Sequence, residues 1–283
     1  MNNLLSLFLY PSNWNLPLNL LLLGLAAGYL GVTHPWRRRR PQSTPVRYPI
    51  FFLLSLLIYY FALGSPLNLI AHELFSIHML QMSLLYIVLP PLLLLSFPAW
   101  MWRPLVRLSL VQRGLRFLTR PIFSLFLFNG LISLYHVPWI FDRIMASEAL
   151  HIVSHLALLG SALVMWWPVT CPVPEMNRLS ELRKMGYLIA NVVLLTPVCA
   201  LIIFANTPMF ELAREPSELF PVLSPYDDQQ LGGVIMKIIQ EVVYIGAIGY
   251  IFFHWVRKER DKDRREADNL PEDSGIEPAP DSL

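Results

Sequence analysis

A chain of 283 residues that is 55% hydrophobic and only 15% charged departs from soluble domains, in which about a quarter of residues carry charge. The formal net charge of +2 is too small to argue for a nucleic-acid partner. Two cysteines, Cys171 and Cys199, make neither a disulfide framework nor a Cys-x-x-Cys site, and each reads as a small buried apolar residue. Composition points instead to lipid.

Residues 1–15 hold no Lys or Arg and are followed by no small-residue cleavage site, so no secretory leader is expected. A helix needs about 20 apolar residues to cross a bilayer. Seven stretches qualify or come close: Leu16–Thr33, Pro49–Leu63, Ile77–Phe97, Ile122–Tyr135, Leu150–Trp167, Met185–Ala205 and Gly232–Trp255. The second and fourth are short. Residues 256–283 form a polar tail, first mixed in charge and then rich in Pro and acid, which reads as disordered.

Basic residues set the orientation. The first span ends at Arg37–Arg38–Arg39–Arg40, with Arg47 close behind. The connection after the third holds Arg103, Arg107, Arg113, Arg116 and Arg120, the one after the fifth Arg178, Arg183 and Lys184, and the tail six more from Arg257. All but Arg143, Arg214 and Lys237 of the 22 Lys and Arg therefore fall on one side, which the positive-inside rule makes cytoplasmic. An even number of spans would break this alternation. The expectation is an all-α polytopic integral membrane protein: a seven-transmembrane-helix bundle over residues 1–255, N-terminus outside and C-terminus cytoplasmic, with the tail 256–283 as a separate segment.

With that orientation, five of the seven histidines are outer. His72 and Glu73 precede the third span, and His78, Met79, Gln81 and Met82 occupy its first turns. His136 and Asp142 lie in the next outer loop, and Glu148, His151 and His155 open the fifth span. Asp227 and Asp228 stand just before the seventh, with Met236 about a turn inside. His34 and His254 read as interface residues at cytoplasmic ends.

His78 and Met82, four apart, share one helix face; Glu148, His151 and His155, at i, i+3 and i+7, share another. Imidazole suits copper, zinc and iron, whereas a thioether selects soft ions such as Cu(I). A His/Met set is therefore apt for holding monovalent copper on the oxidising side of a membrane. The candidate ligands are His78, Met82, His151, His155, Met79, His72, Asp228 and Met236. Glu148 is placed to orient His151 through its second nitrogen. The plainer reading gives His and Gln the interfacial hydrogen bonds at helix ends and makes Met a gap-filler. Lys237 and Glu241, four apart in the seventh span, either pair to fix helix register or serve a proton or metal role.

Several segments together resemble the CtaG family of cytochrome c oxidase assembly factors, the multi-spanning bacterial type. They are His78-Met79-Leu80-Gln81-Met82 leading into Pro90-Pro91-Leu92-Leu93 and Pro98; Tyr135-His136-Val137-Pro138; His151-Ile152-Val153-Ser154-His155; Met165-Trp166-Trp167-Pro168; and Asp228-Gln229-Gln230-Leu231-Gly232-Gly233. The resemblance covers most of residues 50–255. It implies a non-enzymatic role in a bacterial plasma membrane: maturation of a haem–copper terminal oxidase of the respiratory chain, with an oxidase subunit as partner and copper as the group delivered. Met82 stands where many members of that family carry His, which keeps the site suited to Cu(I) and weakens the case for Zn(II) or Cu(II). The resemblance leaves open whether copper is bound directly and whether the chain forms a homo-oligomer.

Three other readings compete. A membrane zinc hydrolase would draw on His78, His151, His155 and Asp228 around a metal-bound water, with Met79, Met82 and Met236 as odd neighbours. A haem could be held by histidines of the third and fifth spans. A retinal-type receptor is suggested by Lys237, but the third span carries no carboxylate counter-ion in its interior.

Overall fold

With no water in the hydrocarbon region, a spanning backbone must satisfy its own hydrogen bonds, and an apolar run does so as helix. The computed structural model describes residues 7–33, 45–214 and 223–268, and every regular element among them is helical. Besides the one-turn helix Leu67–Ile70 and short 3-10 turns, these are in chain order α1 (Leu16–Thr33), α2 (Arg47–Gly64), α3 (Phe75–Ser96), α4 (Ala99–Arg107), α5 (Ser109–Leu118), α6 (Pro121–Tyr135), α7 (Pro138–Met145), α8 (Glu148–Thr170), α9 (Glu181–Ile203) and α10 (Pro225–Asp268). Six of them (α1, α2, α3, α8, α9 and α10) are long and apolar enough to cross a membrane. A seventh span arises when α5 and α6, bent by 73° at their junction, are taken together. By itself α6 has 15 residues, a rise of roughly 22 Å against a hydrocarbon core about 30 Å thick.

Two stretches differ from what composition suggests. The Arg-rich connection after α3 is built as the amphipathic pair α4 and α5, with Leu105, Leu110 and Phe117 exposed beside its arginines, the pattern of helices lying in a membrane interface. Residues 256–268 do not leave the helix: α10 runs on to Asp268, and Lys262 lies 3.7 Å from Glu259 and 3.8 Å from Glu266. Pairs at i, i+3 and i, i+4 support a solvated helix where apolar packing has ended. The Arg37–Arg40 run, His34 and the tail from residue 269 lie outside the described residues.

Loops on each side find one another. Arg103 after α3 reaches Glu175 after α8 at 2.7 Å, and at the other end Asp142 of α7 accepts from the Glu211 N–H at 2.9 Å. The Arg-rich connections thus share one end of the bundle, and the loops after α6 and α9 share the other.

Two π-helical turns interrupt the spans, Tyr60–Gly64 in α2 and Leu84–Val88 in α3. The second directly precedes Pro90 and Pro91, which cannot donate to the carbonyls four residues back. At the first, Gln81 of α3 donates to the Ala62 carbonyl at 2.7 Å and to Asn68 Oδ1 at 2.8 Å.

The segment Asp228-Gln229-Gln230-Leu231-Gly232-Gly233 keys α10 into the bundle. Asp228 is buried, and its carboxylate accepts from the Phe75 N–H at 2.7 Å, the Ser76 N–H at 3.1 Å and the Ser76 hydroxyl. A negative group on free N–H donors at a helix start is favoured by hydrogen bonding and by the helix dipole. Gln229 accepts from the Met209 N–H at 2.6 Å, and Gln230 donates to the Ile203 carbonyl at 2.8 Å, satisfying the end of α9. A Cβ on Gly232 would stand 2.7 Å from the Phe75 ring and 3.0 Å from Met79 Cγ, and one on Gly233 2.8 Å from Ile203. These glycines permit close helix approach.

Asp228→Ala leaves buried donors unpartnered, at about 1–3 kcal/mol for such a group. We expect unfolding of the detergent-solubilised chain to shift by on the order of 3 kcal/mol, and Asp228→Asn, which keeps one acceptor, to lose less. Wild-type unfolding in Asp228→Ala would remove the carboxylate from this structural role.

Candidate functional site

The N-terminus of α3, the C-terminus of α6, the short helix α7 and the N-terminus of α8 meet at the histidine end of the bundle. His78, one turn into α3, is buried, and its Nε2 lies 3.1 Å from the Tyr135 hydroxyl at the end of α6, the two rings almost parallel. From α8, the His151 and His155 rings sit 4.2 Å apart, centre to centre, and 6.3 and 6.4 Å from His78. The exposed His72 ring lies 5.4 Å from His151, at the mouth. Tyr86, further along α3, places its ring 5.8 Å from His155.

Three polar atoms in this group have no hydrogen-bond partner although they are buried: Nε2 of His151, Nε2 of His155 and the Tyr86 hydroxyl. An unmade bond of this kind costs about 1–3 kcal/mol, so such atoms need an explanation in a native fold. Aromatic packing closes over His78 and Tyr135. Phe141 of α7 is fully buried against Phe75, Phe210, His78 and Tyr135, with ring centres 4.9–5.8 Å apart.

As the side chains stand, no three His, Cys, Asp or Glu among the described residues converge on one point that would hold a metal ion. The donor types suit copper, but His78, His151 and His155 would have to rotate inward to share an ion.

The other expected residues have separate places. Met79 puts its sulfur 3.4 Å from Nε2 of His136, whereas Met82 and Met236 are buried in the apolar core. Asp228 is occupied as the cap of α3, which takes it away from the ligand set and from the hydrolase reading. Glu148 is exposed in the first turn of α8, and no bond joins it to His151. Lys237 pairs with Glu241 at 2.6 Å and donates to Thr196 at 2.7 Å, a contact between α9 and α10 apart from the histidines.

Tyr135, Tyr86 and Phe141 escaped the sequence reading. Tyr86 is eight residues beyond His78, a helical repeat that could have drawn it in, and Tyr135 stands beside His136 at the end of a span. For Phe141, nothing in the sequence signals a cap. His136, just beyond α6, points Nδ1 at the Ile132 carbonyl, 2.7 Å away. Burial lowers its pKa from the ordinary 6.5 to about 4, and the bond to Ile132 opposes the shift.

A family model described as cytochrome c oxidase caa3 assembly factor matches residues 27–258. No curated protein and no solved structure matches the chain.

Because the folded chain holds His136 neutral down to about pH 4 while the unfolded chain protonates it near 6.5, the unfolded state binds more protons between those values. Stability is then fully present above about pH 6.5 and falls as the pH drops toward 4. The unfolding midpoint of the purified chain should decline over that window, and His136→Gln should flatten the decline. An equal pH slope in the variant would show that His136 is not among the groups responsible.

Proposed function

We propose that this chain, which belongs to the family of cytochrome c oxidase caa3 assembly factors, carries out its assembly role by receiving Cu(I) at the His78, His151 and His155 group and passing it to a copper centre of the oxidase. The observation that carries this reading is the pair of buried, unpartnered Nε2 atoms on α8, in rings whose centres lie 6.3 and 6.4 Å from that of the α3 histidine. A neutral imidazole with a free nitrogen lone pair is the form in which histidine binds a metal, and neither Nε2 is engaged elsewhere. The absence of a preformed cage also fits a carrier. A resident cofactor is held by ligands fixed in place, while cargo must be released, and rings that rotate into and out of place allow release.

His78, His151 and His155 would supply the ligands, with the Tyr135 hydroxyl orienting His78 and His72 receiving the ion at the mouth. The partner is then an oxidase subunit whose copper-receiving face is reached from the histidine end of this bundle. Asp228, being occupied, leaves the zinc-hydrolase alternative without its carboxylate, and assembly rather than catalysis is the role proposed. The cell location is the bacterial plasma membrane, with the N-terminus and the histidine end outside.

His78→Ala and His155→Ala should each abolish maturation of the oxidase while the chain inserts at normal level. Excess copper in the medium should restore part of the activity, because mass action can replace a delivery route but not a structural partner. Active oxidase at ordinary copper levels in both variants would remove copper from this cluster.

Orientation has its own test. A reporter active only in the cytoplasm should work when fused after Arg47, Arg120 or Lys184 and fail after Ser65. Activity after Ser65 would invert the bundle and place the histidines on the reducing side.

A further inference from the structure

His136 and Met79 present an arrangement that hydrogen bonding does not explain. The Nδ1 of His136 lies 2.7 Å from the Ile132 carbonyl oxygen. At that distance the nitrogen must carry the hydrogen, since two acceptors would repel. The neutral ring then has its lone pair on Nε2, and Nε2 faces the Met79 sulfur at 3.4 Å. A thioether has no hydrogen to donate. Two lone pairs therefore face each other in a buried place, His136 being 6% exposed and Met79 0%.

The surroundings hold both atoms there. His136 is tied through its own ring N–H to the turn that ends α6, and a backbone carbonyl on the second nitrogen is the usual way of fixing a metal-binding tautomer. Met79 packs closely on α10 at Gly232, where an added Cβ would stand 3.0 Å from its Cγ. The aromatic neighbour of His136 is Tyr135, with ring centres 5.5 Å apart.

We infer that His136 Nε2 and Met79 Sδ form a second, separate binding site for a soft monovalent cation, Cu(I), between α3 and the end of α6. One imidazole nitrogen and one thioether are the ligand types that select Cu(I) over harder ions. Metal–nitrogen and metal–sulfur bonds of about 2.0 and 2.3 Å add to more than the observed separation, so one ion can touch both atoms at a bent angle. Both ligands are neutral, so binding needs no deprotonation. The site extends the copper reading of the chain but stands on different atoms, and it gives cargo two stations at one end of the bundle rather than one.

Titration of the purified full-length chain in detergent with Cu(I) under reducing conditions, against a colorimetric Cu(I) chelator, tests this, with X-ray absorption reporting the ligand atoms. The His78→Ala/His155→Ala chain should retain one Cu(I) with a nitrogen and a sulfur neighbour. Adding Met79→Leu, which keeps the volume, should remove that ion and its sulfur signal. His136→Gln, which can still donate to Ile132, serves the same purpose should Leu disturb the packing against Gly232. Loss of all copper in the His78→Ala/His155→Ala chain, or an unchanged sulfur signal in Met79→Leu, overturns the second site. A wild-type chain that binds no Cu(I) overturns both sites. A His78→Ala/His155→Ala chain that binds as much copper as wild type overturns the three-histidine reading alone.

Discussion

The carboxylate of Asp228 on the first turn of α3 is the contact on which the rest of the histidine end depends. It joins residues more than 150 positions apart in sequence, so it decides where α10 stands relative to α3 in depth as well as in rotation. His78 and Met79 lie one turn beyond the capped N–H groups and inherit that depth. The two glutamines that follow extend the same logic to α9 and the loop after it, and the two glycines let the helices approach closely enough for the bonds to form. A carboxylate that sequence spacing offers as a metal ligand thus does something prior: it sets the register in which the ligands can meet.

That register produces a pocket with opposing demands. Unpartnered imidazole nitrogens and a phenol beside packed aromatic rings work against stability; other buried groups, among them the Trp102, Trp166 and Trp167 ring nitrogens and Asn129 Oδ1, are also without partners, and bonds between the helices offset such costs. Asn129 donates to Asn191, Tyr187 to the Met165 carbonyl and Tyr29 to the Ser96 carbonyl. Lys237 and Glu241 belong with these satisfied pairs. Their ion pair lies within α10, and the bond from Lys237 to Thr196 joins that helix to α9.

Much of this was legible beforehand because apolar length and the positions of Arg and Lys are one-dimensional properties. The bounds of α1 and the approximate extent of the other spans follow from hydropathy, and His151 and His155 could be grouped by helical spacing, with His78 brought beside them by the expected depth of its span. What spacing could not convey is which partner a polar side chain takes across the bundle. Asp228 and Glu148 look equally available in sequence, yet one is buried under a helix terminus and the other stays in solvent. Met82 shares the face of His78 by ordinary helical repeat, but the sulfur that meets an imidazole is that of Met79, directed by the close approach of Gly232. The helical start of the tail was missed for a different reason: ion pairs every three to four residues sustain helix without any apolar periodicity.

The disposition of charge bears most directly on which ion the histidine end could serve. Born desolvation rises with the square of the charge, so moving a divalent ion into this enclosure costs about four times as much as moving a monovalent one. Buried carboxylates normally offset such a penalty. Here Asp228 is committed to the backbone of α3 and Glu148 faces solvent, which leaves neutral imidazole and thioether groups inside. A pocket that provides lone pairs without negative charge discriminates against Zn(II) and Cu(II) by electrostatics as well as by ligand softness. Two features of the described residues agree with the proposed Cu(I) cargo: the type of donor atom, and the engagement of the buried Asp228 carboxylate by the backbone of α3.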